Sequence, residues 1–261
     1  MTHSTFTTNN MTITSKIIWM YWDRGEYDQS VPPLNRLCIN RWKTLNSDTW
    51  SVRVLDENTI RDYVPEFFDI LKCSARVRPV GSGQSDLLRL LLLSKFGGVW
   101  VDASVYPMFP LDNFINYLVN DSNGFFGYWF YNKSRDPMLG NRVTPSWFLI
   151  CTKSAFTLME KWKTEVIKAF TADVGWKYWG CHDCLSNLYE SDSEITQILD
   201  DMIKINQKFP HSALKPNSNI LPSFMYKRPC TELLGTLNDP ALTIELVNHA
   251  IQLDRNKYLT K

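Results

Sequence analysis

Apolar residues in the first part of the chain follow strand spacing and helix spacing in turn. Residues 16–22 form a β-branched and aromatic run, which predicts a buried first strand that ends before Gly25. A helix is predicted after the proline pair at 32–33, because apolar residues recur there at helical spacing: Leu34, Leu37, Cys38, Trp42 and Leu45. A second strand is predicted at 50–54, and Asp56 is expected to cap another helix. This order is typical of an α/β domain.

The strongest local pattern follows in the next third of the chain. A buried helix is predicted from Ser85, its N-terminal cap, to the Gly-Gly pair at 97–98. The apolar residues 99–101 then predict a central strand. Asp102 would therefore lie at the carboxyl end of that strand, where open α/β sheets bind their ligands.

Patterns are weaker in the second half. Short strands are predicted at 125–131 and 147–151, and Ser154 is expected to cap a long amphipathic helix. Another helix is predicted at 193–206. The segment 210–229 contains four prolines, which predicts a loop.

Composition and charge narrow the class of protein. The chain has 261 residues, of which 44% are hydrophobic and 21% charged, and its formal net charge is +1. These values are typical of a globular protein, and the lack of a basic excess argues against a nucleic-acid partner. Residues 1–15 lack the basic and apolar segments of a secretory signal. The longest apolar stretch, 87–96, contains two charges and is too short to span a bilayer.

Two pairs of polar side chains near the Gly-Gly turn are candidates for a ligand site. Asp86 and Arg89 are three residues apart, so they share a helix face and could both contact one ligand. The alternative is structural: Asp86 complements the helix dipole, and Arg89 neutralises its charge. Asp102 and Ser104 lie on the same side of an extended segment and could hold a divalent cation that neutralises a departing diphosphate. A structural turn is the alternative for Asp102.

The same stretch resembles the signature of the capsular polysaccharide synthesis glycosyltransferases. It reads Ser-Asp-Leu-Leu-Arg at 85–89 and Lys-Phe-Gly-Gly-Val-Trp-Val-Asp-Ala-Ser at 95–104. A second match covers the predicted opening strand, helix and strand, at 17–22, 40–43 and 52–56. This family is similar to the wider Asp-x-Asp sugar transferases, which include glucosylating bacterial toxins. The resemblance implies a GT-A fold: an α/β domain with a mostly parallel central sheet flanked by helices, and helical additions in its C-terminal half.

The resemblance also implies roles for single residues. Asp86, Arg89 and Asp102 would form the catalytic set: the first two would hold hydroxyl groups of the donor sugar, and Asp102 would bind the ribose or the metal and diphosphate. Trp19 would stack on the uracil ring, and a place in the strand core is its alternative. Further donor-binding candidates are Tyr21, Ser85 and Ala103. Mn²⁺ or Mg²⁺ would lie at Asp102 and Ser104, where the hydroxyl replaces the second carboxylate and weakens direct ligation.

The acceptor is expected to bind in the second half of the chain. Trp179, His182 and Asp183 belong to an aromatic and polar cluster that could bind a sugar or supply a base, and core packing is the alternative. Four basic residues are candidates for a diphosphate clamp, with surface charge as the simpler explanation: Arg135, Arg142, Lys227 and Arg228.

This interpretation predicts the domain organisation and the location. We expect a flexible tail at 1–15 and a glycosyltransferase domain at 16–261, with its donor-binding half at about 16–110 and its acceptor-side half at about 111–261. The six cysteines are scattered, which favours a reducing compartment. We therefore expect a cytoplasmic protein without a membrane span, which can associate peripherally with assembly machinery at the inner face of the membrane.

The leading hypothesis is transfer of a hexose from a nucleotide sugar, first of all a UDP-sugar, to a surface or capsular glycan. The partners would be that donor and an oligosaccharide or lipid-linked acceptor. The similar families retain the anomeric configuration, and no carboxylate stands out as a nucleophile, so attack on the face of the leaving group is expected. Two alternatives stay open: an effector that glycosylates a host protein, and a module that binds nucleotide sugars without turnover.

Overall fold

The computed structural model describes residues 15–73, 81–119, 123–130, 142–172, 176–214 and 223–229. The expected tail, apart from Ser15, lies outside these residues, and so does Arg135. Within them, the strands are β1 (Ile17–Tyr21), β2 (Ser51–Leu55), β3 (Gly98–Val101), β4 (Val105–Pro107), β5 (Phe125–Gly127), β6 (Phe148–Cys151) and β7 (Met225–Lys227). The α-helices are α1 (Pro33–Asn46), α2 (Glu66–Cys73), α3 (Gly81–Phe96), α4 (Ile115–Val119), α5 (Phe156–Thr171), α6 (Gly180–Ser191) and α7 (Ser193–Asp201).

A five-stranded sheet in the order β2-β1-β3-β6-β5 lies at the centre. β1 pairs in parallel with β2 and β3, whereas β6 pairs antiparallel with both β3 and β5. Four of these five strands therefore run in one direction, and β6 opposes them. Helix α3 packs on β1 and β3, and α1 packs on β2. The predicted α/β class, the mostly parallel sheet, the flanking helices and the central position of β3 are confirmed.

Buried tryptophans tie the sheet to the connections around it. Four of them are fully buried, and each donates its indole N–H to an oxygen: Trp19, Trp42, Trp100 and Trp162. Trp19 Nε1 lies 3.0 Å from the carbonyl oxygen of Gly97, and Trp42 Nε1 lies 2.9 Å from that of Val105. Because these two carbonyls flank β3 and the turn after it, the core holds both ends of the strand in place.

The Gly-Gly turn returns the chain from α3 to β3. Gly97 and Gly98 have φ angles of +65° and +90°, and a Cβ on Gly98 would lie 2.5 Å from the carbonyl oxygen of Ile17. Only glycine combines this backbone conformation with so close an approach. The helix rises about 15 Å from Asp86 to its end and the strand returns about 13 Å to Asp102, at about 1.5 and 3.3 Å per residue. The turn therefore brings Asp86 and Asp102 to the same level of the sheet.

Two predicted helix caps are wrong. Helix α3 begins at Gly81, so Ser85 lies inside it and donates its hydroxyl to the Gly81 carbonyl oxygen at 2.9 Å. Ser154 precedes α5 within a 3₁₀ turn at Lys153–Ala155 and donates to the carbonyl oxygen of Asn123 at 2.9 Å. Serine hydroxyls bond to backbone carbonyls as well as to helix N–H groups, so a serine before an apolar run does not fix the start of a helix.

Other segments differ from the prediction in length or type. The helix expected after Asp56 is a 3₁₀ turn at Thr59–Asp62, where Asp56 accepts hydrogen bonds from backbone N–H groups. The strand expected at 125–131 ends at Gly127, and the helix expected at 193–206 ends at Asp201. The third 3₁₀ turn among the described residues is Leu111–Asn113.

The proline-rich segment 210–229 contains a strand that was not predicted. β7 pairs antiparallel with β4 in a separate two-stranded sheet, with Lys227 opposite Val105. This pairing joins residues that are far apart in sequence, so it overrides the local loop composition. The described part of the chain contains no helix with the length and apolar character needed to cross a membrane.

Candidate active site

Arg89 links two carboxylates at the end of β3. Its Nη1 donates to Asp86 Oδ1 and to Ser146 Oγ, and its Nη2 donates to Asp102 Oδ1 at 3.1 Å. Ser146 Oγ in turn donates to Asp86 Oδ1 at 3.0 Å. Arg89, Asp86 and Ser146 are all buried, so the ion pair is shielded from solvent and fixed in one geometry. The predicted pair on the helix therefore meets the residue at the strand end.

Asp102 is the member of this network that reaches the surface, with 26% of its side chain exposed. Its Oδ1 accepts from Trp100 Nε1 at 2.9 Å as well as from Arg89, and its Oδ2 accepts from Lys227 Nζ at 2.6 Å. The Asp102 amide N–H donates to the carbonyl oxygen of Trp147 at 2.9 Å, which fixes the backbone. Two cations and an indole therefore hold this carboxylate in place.

Lys227 also binds Ser104. Its Nζ lies 2.8 Å from Ser104 Oγ, and the residue is only 7% exposed. The pairing of β7 with β4 explains the contact, because β4 begins immediately after Ser104 and places Lys227 opposite Val105. The next amide, that of Arg228, donates to the Ser104 carbonyl oxygen at 2.8 Å. Of the four clamp candidates, Lys227 thus lies in the site and not on the surface.

Burial and charge shift the pKa values of these groups in different directions. Burial raises the pKa of the Asp86 carboxyl to about 6, against the opposing effects of Arg89 and Ser146. Burial alone would also raise the pKa of Asp102, but Lys227 and Arg89 outweigh it and hold that pKa below its usual value. Burial lowers the pKa of Lys227, and Asp102 opposes the shift. The 2.6 Å contact of Lys227 Nζ with Asp102 Oδ2 is an ion pair between an ammonium group and a carboxylate.

Of the predicted acceptor-side residues, His182 adjoins this network through Ser146. His182 Nε2 lies 3.4 Å from Ser146 Oγ, and the Trp179 ring meets the His182 ring edge to face at 5.1 Å. Asp183 forms a 2.9 Å salt bridge with Arg142. Burial, aided by Arg89 and Arg142, lowers the pKa of His182 to about 3, so its imidazole is neutral. Contacts within the site join residues on both sides of position 110, such as Arg89 with Ser146 and Asp102 with Lys227.

Three donor-side candidates have no recorded hydrogen bond to this network among the described residues. Trp19 is fully buried and packs edge to face against Tyr63 at 5.1 Å. Ser85 turns back to Gly81 within α3. Tyr21, at the carboxyl end of β1, is buried and its hydroxyl donates to Gln84 Oε1 at 3.5 Å. Ala103 is buried in the turn between β3 and β4, beside the site.

Sequence reasoning missed two members of the network and undervalued a third. Trp100 is two residues before Asp102 on a strand, so strand alternation already indicated that both side chains share a face. Ser146 carries no local signal. Lys227 was a candidate on charge alone, because its contact with Asp102 spans 125 positions and depends on the pairing of β4 with β7.

The residues at the expected metal position do not fit a divalent cation in this arrangement. Mg²⁺ and Mn²⁺ are bound by several oxygen ligands, mostly carboxylates. Among the described residues, Asp102 is the one carboxylate recorded beside Ser104, and the Lys227 ammonium already lies against both side chains. Over the described ranges, no group of three or more His, Cys, Asp or Glu side chains could hold a metal ion.

Comparison with protein families gives one extensive match. The family described as "Capsular polysaccharide synthesis protein" matches residues 1–219 of the chain, a range that includes all of the site except Lys227.

Matches to individual proteins are shorter. Glycosyltransferase afumC of Aspergillus fumigatus is 33% identical over 103 residues, covering 36% of this chain and 26% of that protein. O-glycosyltransferase braB of Annulohypoxylon truncatum is 31% identical over 109 residues, or 38% and 25% of the two chains. O-glycosyltransferase PaGT of Phomopsis amygdali is 31% identical over 101 residues, or 35% and 24%. The chain thus matches about a quarter of the length of these relatives.

Among solved structures, PaToxG Glycosyltransferase is similar over 92% of this chain and 86% of its own. The TM-score is 0.44 and the sequence identity 14%, which is too little likeness to support conclusions about activity.

Proposed function

Because the chain belongs to the capsular polysaccharide synthesis protein family, we propose that it is a glycosyltransferase that moves a hexose from a nucleotide sugar, a UDP-sugar in the first instance, to a hydroxyl group of a surface or capsular glycan. Two of the fungal relatives are described as O-glycosyltransferases, which supports a hydroxyl oxygen as the acceptor atom. The five described cysteines are free thiols, which favours the cytoplasm as the compartment of the reaction.

The observation that carries this proposal is the network of Asp86, Arg89 and Asp102 at the carboxyl end of β3. Sugar hydroxyls need rigid acceptors, and the ion pairs with Arg89 hold the two carboxylates in one position. Within the described residues the contacts of Asp86 fall on Oδ1, so Oδ2 can accept from a sugar hydroxyl. Asp102 is partly exposed and can receive the ribose or the adjoining end of the donor.

The acceptor would approach from α6. Trp179 is partly exposed and Tyr178 is 68% exposed, and such aromatic faces pack well against sugar rings. The neutral imidazole of His182 is a weak base, so we assign the acceptor proton to the leaving diphosphate. The bond from the anomeric carbon to the diphosphate oxygen breaks, that oxygen takes the electron pair and the proton, and the acceptor oxygen forms the new bond on the same face. This sequence retains the anomeric configuration.

The test is a panel of nucleotide sugars incubated with the full chain, with release of the nucleoside diphosphate as the readout. Asp86→Asn and Asp102→Asn should each lower release by about 100-fold or more, because each removes a fixed acceptor from the reacting donor. Asp69→Asn is the matched control: Asp69 is an exposed acid on α2 that pairs with Lys72 at the surface. Circular dichroism checks that the variants fold.

The outcomes separate the three hypotheses. Near-normal release by both site variants would disprove the assignment of the site. Labelled sugar that appears in protein, and not in lipid-linked oligosaccharide, would favour a protein-modifying enzyme. Binding of a nucleotide sugar with no release or transfer would favour a module without turnover.

A further inference from the structure

Lys227 carries its charge at the place where the family resemblance implies a divalent cation. Its Nζ lies 2.6 Å from Asp102 Oδ2 and 2.8 Å from Ser104 Oγ, the two side chains on which a metal ion would depend. Both oxygens therefore already face a cation, and that cation belongs to the protein.

We propose that the ammonium group of Lys227 replaces the divalent cation in this site, so that the protein binds the diphosphate of its donor without a metal ion. The inference rests on the glycosyltransferase function proposed above and concerns the same site.

The charge balance of the site supports this assignment. The two carboxylates of Asp86 and Asp102 are matched by the cations of Arg89 and Lys227, and three of these four residues are buried. A divalent metal ion would add two positive charges beside the buried ammonium, where little solvent screens the repulsion. A diphosphate adds negative charge next to two fixed cations, which this arrangement favours.

The geometry of Lys227 leaves it able to bind a ligand. An ammonium group has three N–H donors, and among the described residues two acceptors are recorded for Nζ. The third can donate to a phosphate oxygen that enters beside the exposed part of Asp102. Backbone pairing fixes the residue from both sides, through the register of β7 with β4 and the Arg228 N–H bond to Ser104. The ammonium group of Lys227 is therefore held in position before a ligand arrives.

During transfer this ammonium would stabilise the leaving group and keep its own proton. When the bond from the anomeric carbon to the diphosphate breaks, the electron pair goes to the diphosphate oxygen. Lys227 donates a hydrogen bond to the diphosphate, and the proton that the oxygen receives comes from the acceptor hydroxyl. Atoms and charges balance without a metal ion.

Calorimetric binding of UDP to the full chain tests the inference. In EDTA the wild-type protein should bind UDP with an affinity within about threefold of the value in Mn²⁺, since the cation is built in. Binding that requires Mn²⁺ would overturn the inference and leave the proposed function standing. If neither UDP nor GDP, ADP, CDP or dTDP binds with or without Mn²⁺, both fail.

Variants identify the residue. Lys227→Met should weaken UDP binding in EDTA by about tenfold or more, because it removes a charge-assisted hydrogen bond, whereas Lys227→Arg should retain most of the affinity. Lys168→Met is the matched control, since Lys168 is an exposed lysine on α5 that pairs with Glu165. Binding by Lys227→Met equal to that of the wild type would overturn the proposal.

A second variant keeps the test decisive if Lys227→Met folds poorly. The double variant Lys227→Met with Ser104→Asp removes the ammonium and supplies the second carboxylate of an Asp-x-Asp pair. It should bind UDP in Mn²⁺ and lose at least about tenfold in affinity in EDTA. Equal binding by the double variant in both solutions would show that neither cation matters and would overturn the inference.

Discussion

At the scale of single residues, Asp86 and Asp102 show how partners decide the state of a buried charge. Both carboxylates contact Arg89, yet the pKa of Asp86 is raised to about 6 and that of Asp102 is lowered. The difference is the second cation, because Lys227 contacts Asp102. Burial lowers the pKa of His182, and Arg89 and Arg142 lower it further. The opposing effect of Asp102 is smaller, so the imidazole stays neutral.

The low pKa of His182 predicts how stability depends on pH. Folding lowers this pKa from 6.5 to about 3. The contribution of His182 to the free energy of unfolding is therefore complete above pH 6.5 and is lost as the pH falls towards 3. In His182→Gln this loss is absent. The difference in unfolding free energy between wild type and variant should therefore change by up to about 1.4 kcal/mol per pH unit below pH 6.5, in favour of the variant.

Urea unfolding of both proteins at pH 7.5, 5.5 and 4.5 measures this difference. Asp86, with its raised pKa, contributes in the opposite sense between about pH 4 and 6, and it cancels in the comparison because both proteins contain it. A difference that stays constant over this range would mean that folding does not lower the pKa of His182.

Which site residues the sequence could predict depends on how local their contacts are. Asp86 and Arg89 share a helix face by spacing alone, and Asp102 follows a recognisable strand. Trp19 also lies in a recognisable strand, but the pattern does not reveal that its ring packs beneath Tyr63. The place of Lys227 depends on a partner 125 residues away, and no local pattern carries that information.

At the scale of elements, the connection between α3 and β3 fixes the relative height of the two carboxylates. Its geometry depends on glycine at two successive positions with positive φ. We expect Gly98→Ala to lower the unfolding free energy by at least about 2 kcal/mol, because the new Cβ adds a left-handed penalty and a clash with the Ile17 carbonyl.

Gly81→Ala provides the matched control for thermal or urea unfolding. A Cβ at Gly81 would meet no atom within 4 Å, so this substitution at the start of α3 should be neutral or stabilising by up to about 1 kcal/mol. Similar stability of Gly98→Ala and wild type would show that the turn can adopt another conformation.

Element types were easier to predict than element boundaries. Hydrophobic periodicity predicts the first strand, the helix at Pro33–Asn46 and the central strand, because it reflects which face of each element is buried. A serine caps a helix only where its hydroxyl accepts a hydrogen bond from a backbone N–H group. The hydroxyls of Ser85 and Ser154 both donate to backbone carbonyl oxygens. β7 is three residues long and exists by virtue of its pairing with β4.

At the scale of the whole molecule, the buried cysteines lie in different hydrophobic clusters: Cys151 and Cys181 in the large central core, and Cys38 in a smaller cluster with Tyr106 and Tyr226. Cys38, Cys151 and Cys181 are fully buried, and burial raises the pKa of each thiol, that of Cys38 to about 12. Cys73 is exposed at the end of α2. Reaction at the buried thiols therefore requires opening of the core.

Iodoacetamide labelling at pH 8, followed by peptide mass spectrometry, measures this opening. Cys73 should react at least about 1000-fold faster than Cys38, Cys151 and Cys181, because those three need global unfolding. Their rates should rise together with urea. If one of the three reacted quickly in native buffer, the core around it would open locally.

The antiparallel pair of β4 and β7 also sets an order of events during translation. Asp102 leaves the ribosome 125 residues before Lys227, an interval of about 6 to 25 s at roughly 5 to 20 residues per second. Until then the carboxylate has Arg89 but lacks its second counter-charge, and a chain interrupted before β7 never receives it. The site can therefore be complete only after synthesis has passed residue 227. An unfinished chain that folds its sheet early cannot assemble the full charge network.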